Sequence, residues 1–165
     1  MKNKLSINSE VSLIEIIFSI LIFAIAGVIM INCFAAAKFT QLKANDIVKA
    51  SSIIQSNAEM IKYFNTSNEM NEYLSNSFEN ESIIDKENIY INYYDKSWNL
   101  CNEKNNEYII TIKVNDVSIN FGELKEIDIK AEKVKPYPFI DKLNKSNSIY
   151  GINTKKFFSG NKGRW

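Results

Sequence analysis

Apolar residues run almost unbroken from Val11 to Ala37, in the stretch VSLIEIIFSILIFAIAGVIMINCFAAA. Within it only Glu15 is charged, and only Ser12, Ser19 and Asn32 are otherwise polar. About 20 such residues cross a ~30 Å hydrocarbon core as a helix. The helix of a soluble domain keeps a polar face, which this stretch lacks. The pattern predicts a membrane-inserted helix over 11–37. A cleaved secretory signal is the nearest rival, but its apolar core is only about 7–15 residues long. Phe34-Ala35-Ala36-Ala37 supplies small residues at the end of a run that is too long for one.

Beyond Ala37 the apolar positions thin to a helical period. Ile47, Ala50, Ile54, Ala58, Ile61 and Phe64 recur at spacings of three and four, with Asp46, Lys49, Gln55, Glu59 and Lys62 between them as a polar face. Residues 11–64 therefore read as one helix roughly 80 Å long, at about 1.5 Å per residue. Its first half spans the membrane and its second half, 38–64, is amphipathic. A second, short helix is predicted near 67–78: Thr66 with Glu69 forms a capping box, and Met70, Tyr73, Leu74 and Phe78 share a face.

The period then falls to two. Ile89, Ile91 and Tyr93 alternate along one strand, and Tyr108, Ile110, Ile112 and Val114 along a second, with Asn115-Asp116 as a turn. Val117, Ile119 and Phe121 suggest a short third strand ending at Gly122. Ile127, Ile129 and Ala131 alternate with Asp128, Lys130 and Glu132 in a fourth. Pro136 and Pro138 mark the end of the sheet, because neither donates to a ladder. An antiparallel meander with one wet face, covered by the apolar stripe of the helix, makes an α+β domain. The organisation is thus a leader over 1–10, helix over 11–37 and 38–64, a globular domain over 65–134 and a C-terminal segment over 135–165.

Charge changes the picture of that last segment. The whole chain carries 20 Lys plus Arg against 19 Asp plus Glu. Residues 1–64 hold 6 basic and 4 acidic side chains, residues 65–132 hold 6 and 14, and residues 133–165 hold 8 and 1. Tyr137, Phe139, Tyr150, Phe157, Phe158 and Trp165 are interleaved with the basic residues of 133–165. Such a pattern binds DNA or a cell-wall polyanion by ion pairing and stacking, or folds back on the acidic sheet of its own chain.

Histidine is absent, which removes imidazole catalysis and His metal ligands. The two cysteines, Cys33 and Cys101, are too few for a disulfide scaffold. Cys33 is expected as a small buried hydrophobe in the helix, Cys101 in a loop over 99–106, and both free. Trp98 beside that loop reads as a packing anchor, and Glu79 with Glu81 as solvated carboxylates in a polar linker. The sequence contains no Gly-rich phosphate loop, metal cluster or Ser/Thr nucleophile beside a base. No catalytic residue, metal or cofactor is expected, and an enzyme is not the reading.

Glu15 is the anomaly of the apolar run. An ionisable group in mid-membrane costs on the order of 2.5–3.5 kcal/mol, and less near an interface. It is either solvated at headgroup level or matched by a cation from another chain. The stretch Val11-Ser12-Leu13-Ile14-Glu15-Ile16-Ile17 resembles the N-terminal signature of type IV prepilins and pseudopilins. In that signature a short basic leader ends in Gly, followed by a hydrophobic first residue, two further residues, and Ile-Glu opening a long apolar helix. The resemblance implies a pilin-like fold, cleavage of residues 1–10 by a prepilin peptidase between Glu10 and Val11, and N-methylation of Val11. It also implies filament assembly in which Glu15 offsets the terminal amine of a neighbouring subunit. Partners implied are other pilin subunits, the peptidase, the assembly platform and the cytoplasmic membrane, with the C-terminal domain outside and finally in a cell-surface filament. The sequence departs from the family at Glu10, where Gly precedes the cut, and at Asn32, near where many major pilins have proline. These departures and the basic segment suggest a minor pilin. Two alternatives stand beside it: a competence-type pseudopilin aiding DNA uptake, and an uncleaved single-pass anchored surface protein.

Overall fold

The computed structural model describes residues 9–84, 87–138 and 147–159. Helix α1 spans Ser9–Tyr63, 55 residues, which is about 80 Å at 1.5 Å per residue. Its two halves have opposite surroundings. Every large apolar residue from Leu13 to Phe34 is exposed, Phe23 to 80%, and the helix is long and apolar enough to cross a membrane. From residue 47 onward the predicted stripe is buried: Ala50, Ile54 and Ile61 are fully enclosed and Ala58 nearly so, with Ile47, Ile53 and Phe64 packed at the margin. Ala at two of the four central positions brings the helix axis close to the sheet beneath.

Helix α2 (Ser67–Ser77) opens at Thr66, whose hydroxyl accepts from the Glu69 N–H at 3.3 Å. That satisfies one of the helix's free amides. Met70 and Leu74 are buried, and the Tyr73 ring packs against Phe64 with 5.2 Å between centroids. Five strands follow: β1 (Asn80–Ile84), β2 (Glu87–Tyr94), β3 (Tyr108–Val117), β4 (Glu123–Lys133) and β5 (Ser148–Phe158). They form one sheet in chain order, antiparallel throughout. The arrangement is α+β, with the second half of α1 laid across an antiparallel sheet. Ile110, Ile112 and Val114 of β3 and Ile127, Ile129 and Ala131 of β4 supply the centre of the core.

Several strand-level expectations are corrected. Asn115-Asp116 is not a turn: β3 runs on to Val117, with Asp116 opposite Lys125 and paired to its ammonium at 2.5 Å. The cross-strand ion pair lets two polar residues continue a ladder. Consequently Val117, Ile119 and Phe121 form no third strand. Val117 ends β3, and the chain turns back at Gly122, whose φ of 78° is open only to glycine at little cost. On β2 the core face is Tyr90, Asn92 and Tyr94, the opposite parity to Ile89, Ile91 and Tyr93. Asn92 tolerates burial because its amide donates to the Ser77 carbonyl (2.9 Å) and its oxygen accepts from the Glu79 N–H (3.0 Å). Glu81 lies in β1 and not in a linker, accepting from the Ser75 hydroxyl at 3.0 Å. Cys33 is exposed on the bare half of α1, and both cysteines are free.

Residues 148–158 form the fifth strand. The acidic and basic segments meet there: Lys155 pairs with Glu126 across the β4–β5 register at 3.3 Å. The Lys156 ammonium reaches the other way and donates to the Lys62 carbonyl in the last turn of α1 at 2.6 Å. A cation at a helix C-terminus satisfies a free carbonyl and complements the helix dipole.

Candidate functional site

The assembly residues expected from the sequence all lie on the first turns of α1. Glu10 and Val11 fall within its helical backbone. Glu15 is exposed, and its carbonyl accepts from the Ser19 hydroxyl at 2.8 Å. Among the described residues no cation pairs with the Glu15 carboxylate. The side chains that follow it at Ile16, Ile17, Phe18, Ile20 and Leu21 are apolar and exposed. Any cation that neutralises Glu15 on an apolar surface must come from outside this part of the chain.

A second constellation sits where α1 enters the globular head, and it is built from residues far apart in sequence. Asp46 accepts from the Tyr137 hydroxyl at 2.6 Å and from Trp98 Nε1 at 3.4 Å, and the Lys133 ammonium stands 3.6 Å away. Lys133 also pairs with Glu107 at 2.9 Å and donates to the Tyr108 hydroxyl at 3.1 Å. Its nitrogen lies over the Tyr108 and Tyr137 rings, 4.2 and 4.9 Å from their centroids. Trp98 stacks on Tyr108 with 4.1 Å between centroids and 12° between planes. Burial alone would lower the Lys133 pKa, but its hydrogen bonds to Glu107 and Tyr108 and their charges carry it above the ordinary lysine value. The Tyr108 phenol is raised, chiefly by burial.

The loop that presents Trp98 is wound around Asp95. Its carboxylate accepts from the Ser97 and Asn99 amides at 2.7 and 3.0 Å, and these bonds hold its pKa down. Trp98 itself takes φ = 64°, a region that costs a bulky residue strain. The stack on Tyr108 and the bond to Asp46 hold it there. The helical period places Asp46 on the polar face of α1. It instead ties α1 to β4 and to the segment after it, with its side chain only 13% exposed. Trp98 does act as a packing anchor. The signal that could have found Asp46 was its position one residue before the buried stripe begins.

Comparison with protein-family models, with curated proteins and with solved structures gives no match. The site's chemistry is therefore judged on its own residues, and among those described no group of three or more acidic, Cys or His side chains could hold a metal. The cluster at Asp46 is an ion-pair and aromatic clamp. Its donors and acceptors are spent on one another, so it fixes the angle at which the rod leaves the head.

Three of the four basic residues described in 133–165 are similarly engaged. Lys133 is in the clamp, Lys155 on Glu126 and Lys156 on α1, while Lys135 is exposed. Tyr137 and Phe158 are buried and Tyr150 is packed against the core. Lys142, Lys145, Phe139, Lys162, Arg164 and Trp165 lie outside the described residues.

Proposed function

We propose that the chain is a structural subunit, a minor pilin or pseudopilin, of a type IV-like surface filament, held in the cytoplasmic membrane before assembly. The observation that carries this reading is the division of α1 into a bare apolar half and a half that is the core of the head. An apolar surface of that extent is covered by lipid or by other apolar helices. The same rod serves both states: single in a bilayer, and packed against its copies in a filament. Glu15, unpaired among the described residues near the start of the bare half, is the group that a neighbouring subunit's terminal amine would neutralise on assembly. The prepilin-like sequence around Val11 supports processing by a prepilin peptidase and handling by an assembly platform. Glu10 in place of glycine is what favours the competing reading, an uncleaved anchored protein. DNA uptake through 133–165 draws less support, because three of the four lysines described in that segment are already engaged within the chain.

The deciding experiment is the intact mass of the protein recovered from its native membrane or filament fraction. A chain beginning at Val11, with one added methyl group, is expected. A chain retaining residues 1–10 overturns the filament reading and leaves the anchored protein. In parallel, Glu15→Ala should reach the membrane yet drop out of sheared filaments; incorporation at the wild-type level would remove the role given to Glu15.

A further inference from the structure

A groove of about 440 Å³ opens beside the clamp, within the range of about 300–1,000 Å³ usual for small-molecule sites. Phe39 and Leu42 of α1 form one wall, and Pro136 and Tyr137 the other. Lys96 and Lys135 also line it, both exposed, and neither has an ion-pair partner among the described residues. The acidic groups that line it, Asp46 and Glu107, are held by Lys133, Tyr137 and Trp98, so they do not pair with Lys96 or Lys135.

Position decides what such a groove meets. Its α1 wall, Phe39 to Asp46, begins two residues past the apolar run that ends at Ala37, and lies within about 14 Å of Ala37 along the helix axis at 1.5 Å per residue. With Ala37 at the edge of the hydrocarbon core, a headgroup layer of about 5–7.5 Å reaches Phe39 and Leu42, about 3 and 8 Å along the axis, and Asp46 stands beyond it. Lys38, exposed one position after the run, adds a third cation at the level of Phe39. Apolar walls continuous with the bare rod, with lysines in the lining, match a phospholipid whose acyl ends follow α1 and whose phosphate meets those lysines.

We infer that this groove binds the headgroup of an anionic phospholipid and so docks the head on the membrane surface before assembly. The inference rests on the membrane reading of residues 11–37, not on filament membership. A lysine at an anionic surface contributes about 1 kcal/mol, or roughly fivefold in the bound-to-free ratio. Lys96 and Lys135 together should therefore shift the docked-to-undocked ratio about twenty-five-fold between zwitterionic and anionic bilayers at low salt.

The test uses the full chain carrying Trp165→Phe, so that emission reports Trp98 alone, behind the groove on the Tyr108 stack. One chain per nanodisc is prepared in phosphatidylcholine and in phosphatidylcholine with phosphatidylglycerol. Acrylamide quenching of Trp98 should fall in the anionic discs, and Lys96→Gln with Lys135→Gln should restore it while circular dichroism stays unchanged. Equal quenching in the two lipids overturns the inference. So does protection that appears in both lipids only when two chains share a disc, which assigns the groove to a second copy. A chain that enters neither disc overturns the membrane reading beneath it, an outcome distinguishable from failure of the headgroup site alone.

Discussion

Three donors converge on Asp46: the Tyr137 hydroxyl, Trp98 Nε1 and the Lys133 ammonium. With the side chains of Asp46 and Lys133 only 13% and 11% exposed, the groups left behind on deletion would be desolvated and unpaired. Asp46→Ala should therefore lower unfolding free energy by about 2–4 kcal/mol, read from urea denaturation followed by Trp98 fluorescence. Replacing both charges, Asp46→Leu with Lys133→Met, should cost less than the single change, because the buried Lys133 ammonium is no longer left beside a missing carboxylate and Glu107, a third exposed, is solvated. A single-mutant loss under about 0.5 kcal/mol, the range of ordinary surface changes, would show that the clamp bears no load. Lys133 and three buried phenols set an alkaline limit. Lys133 is raised above 10.5, and Tyr90, Tyr94 and Tyr108 above 10.0 by burial. Each favours its protonated form in the folded state more than in the unfolded chain. Their contributions are complete below those values and are lost as pH rises through the higher folded ones. Melting temperature should show no loss from these groups between neutrality and pH 9, then fall above pH 10 with phenolate absorbance rising at the transition. Ionisation of Tyr90, Tyr94 and Tyr108 without loss of structure would contradict this assignment.

At the scale of the element, legibility followed how many faces each segment buries. β3 and β4 alternate cleanly because one face meets α1 and the other meets water, so Tyr108 to Val114 and Ile127 to Ala131 were read correctly. β2 is apolar on both faces, with Ile91 and Tyr93 half-buried on one, Tyr90 and Tyr94 inward with Asn92 on the other, and Ile89 buried as well. Period alone then selects the wrong parity, because the buried amide satisfies itself on a backbone that sequence does not bring near it. β5 is not legible as a strand, although the charge pattern allows the basic segment to fold back on the acidic sheet, as Lys155 on Glu126 shows. The partners of the β5 lysines, Glu126 and the Lys62 carbonyl, become visible only when strand order is known. The extended β3 hid its true turn, which now makes a prediction. A Cβ on Gly122 would stand 2.5 Å from the Phe158 carbonyl and 2.8 Å from the Phe157 ring, at φ +78°. Gly122→Ala should cost more than about 1 kcal/mol, measured as a drop in urea midpoint at unchanged slope. Gly27→Ala, with nothing within 4 Å of its Cβ, should instead leave the head's stability unchanged.

Across the whole molecule, the head's core draws nothing from the first half of α1. The earliest fully buried residue is Ala50, and Ile47 is the first to pack at its margin. Asp46 and the groove lining from Phe39 complete the contacts that α1 makes where it enters the head. The apolar rod is therefore a separable device whose exposed surface takes no part in the packing of the head, while the head is stabilised by its own layers. A chain of residues 38–165 should fold as a monomer in aqueous buffer, with one cooperative thermal transition. Its midpoint should lie within a few degrees of that of the full chain in detergent, since a difference of 1 kcal/mol shifts a domain of this size by about 2–8 °C. Circular dichroism melts and size-exclusion chromatography of the two proteins make the comparison. A truncated head that aggregates or melts without cooperativity would mean that the bare half of α1 holds the fold through the helix itself. The division between anchor and head, on which the filament reading depends, would then be wrong. Retained folding would instead allow the rod to move from lipid to a bundle of its copies while the head keeps its shape, as assembly from a membrane pool requires.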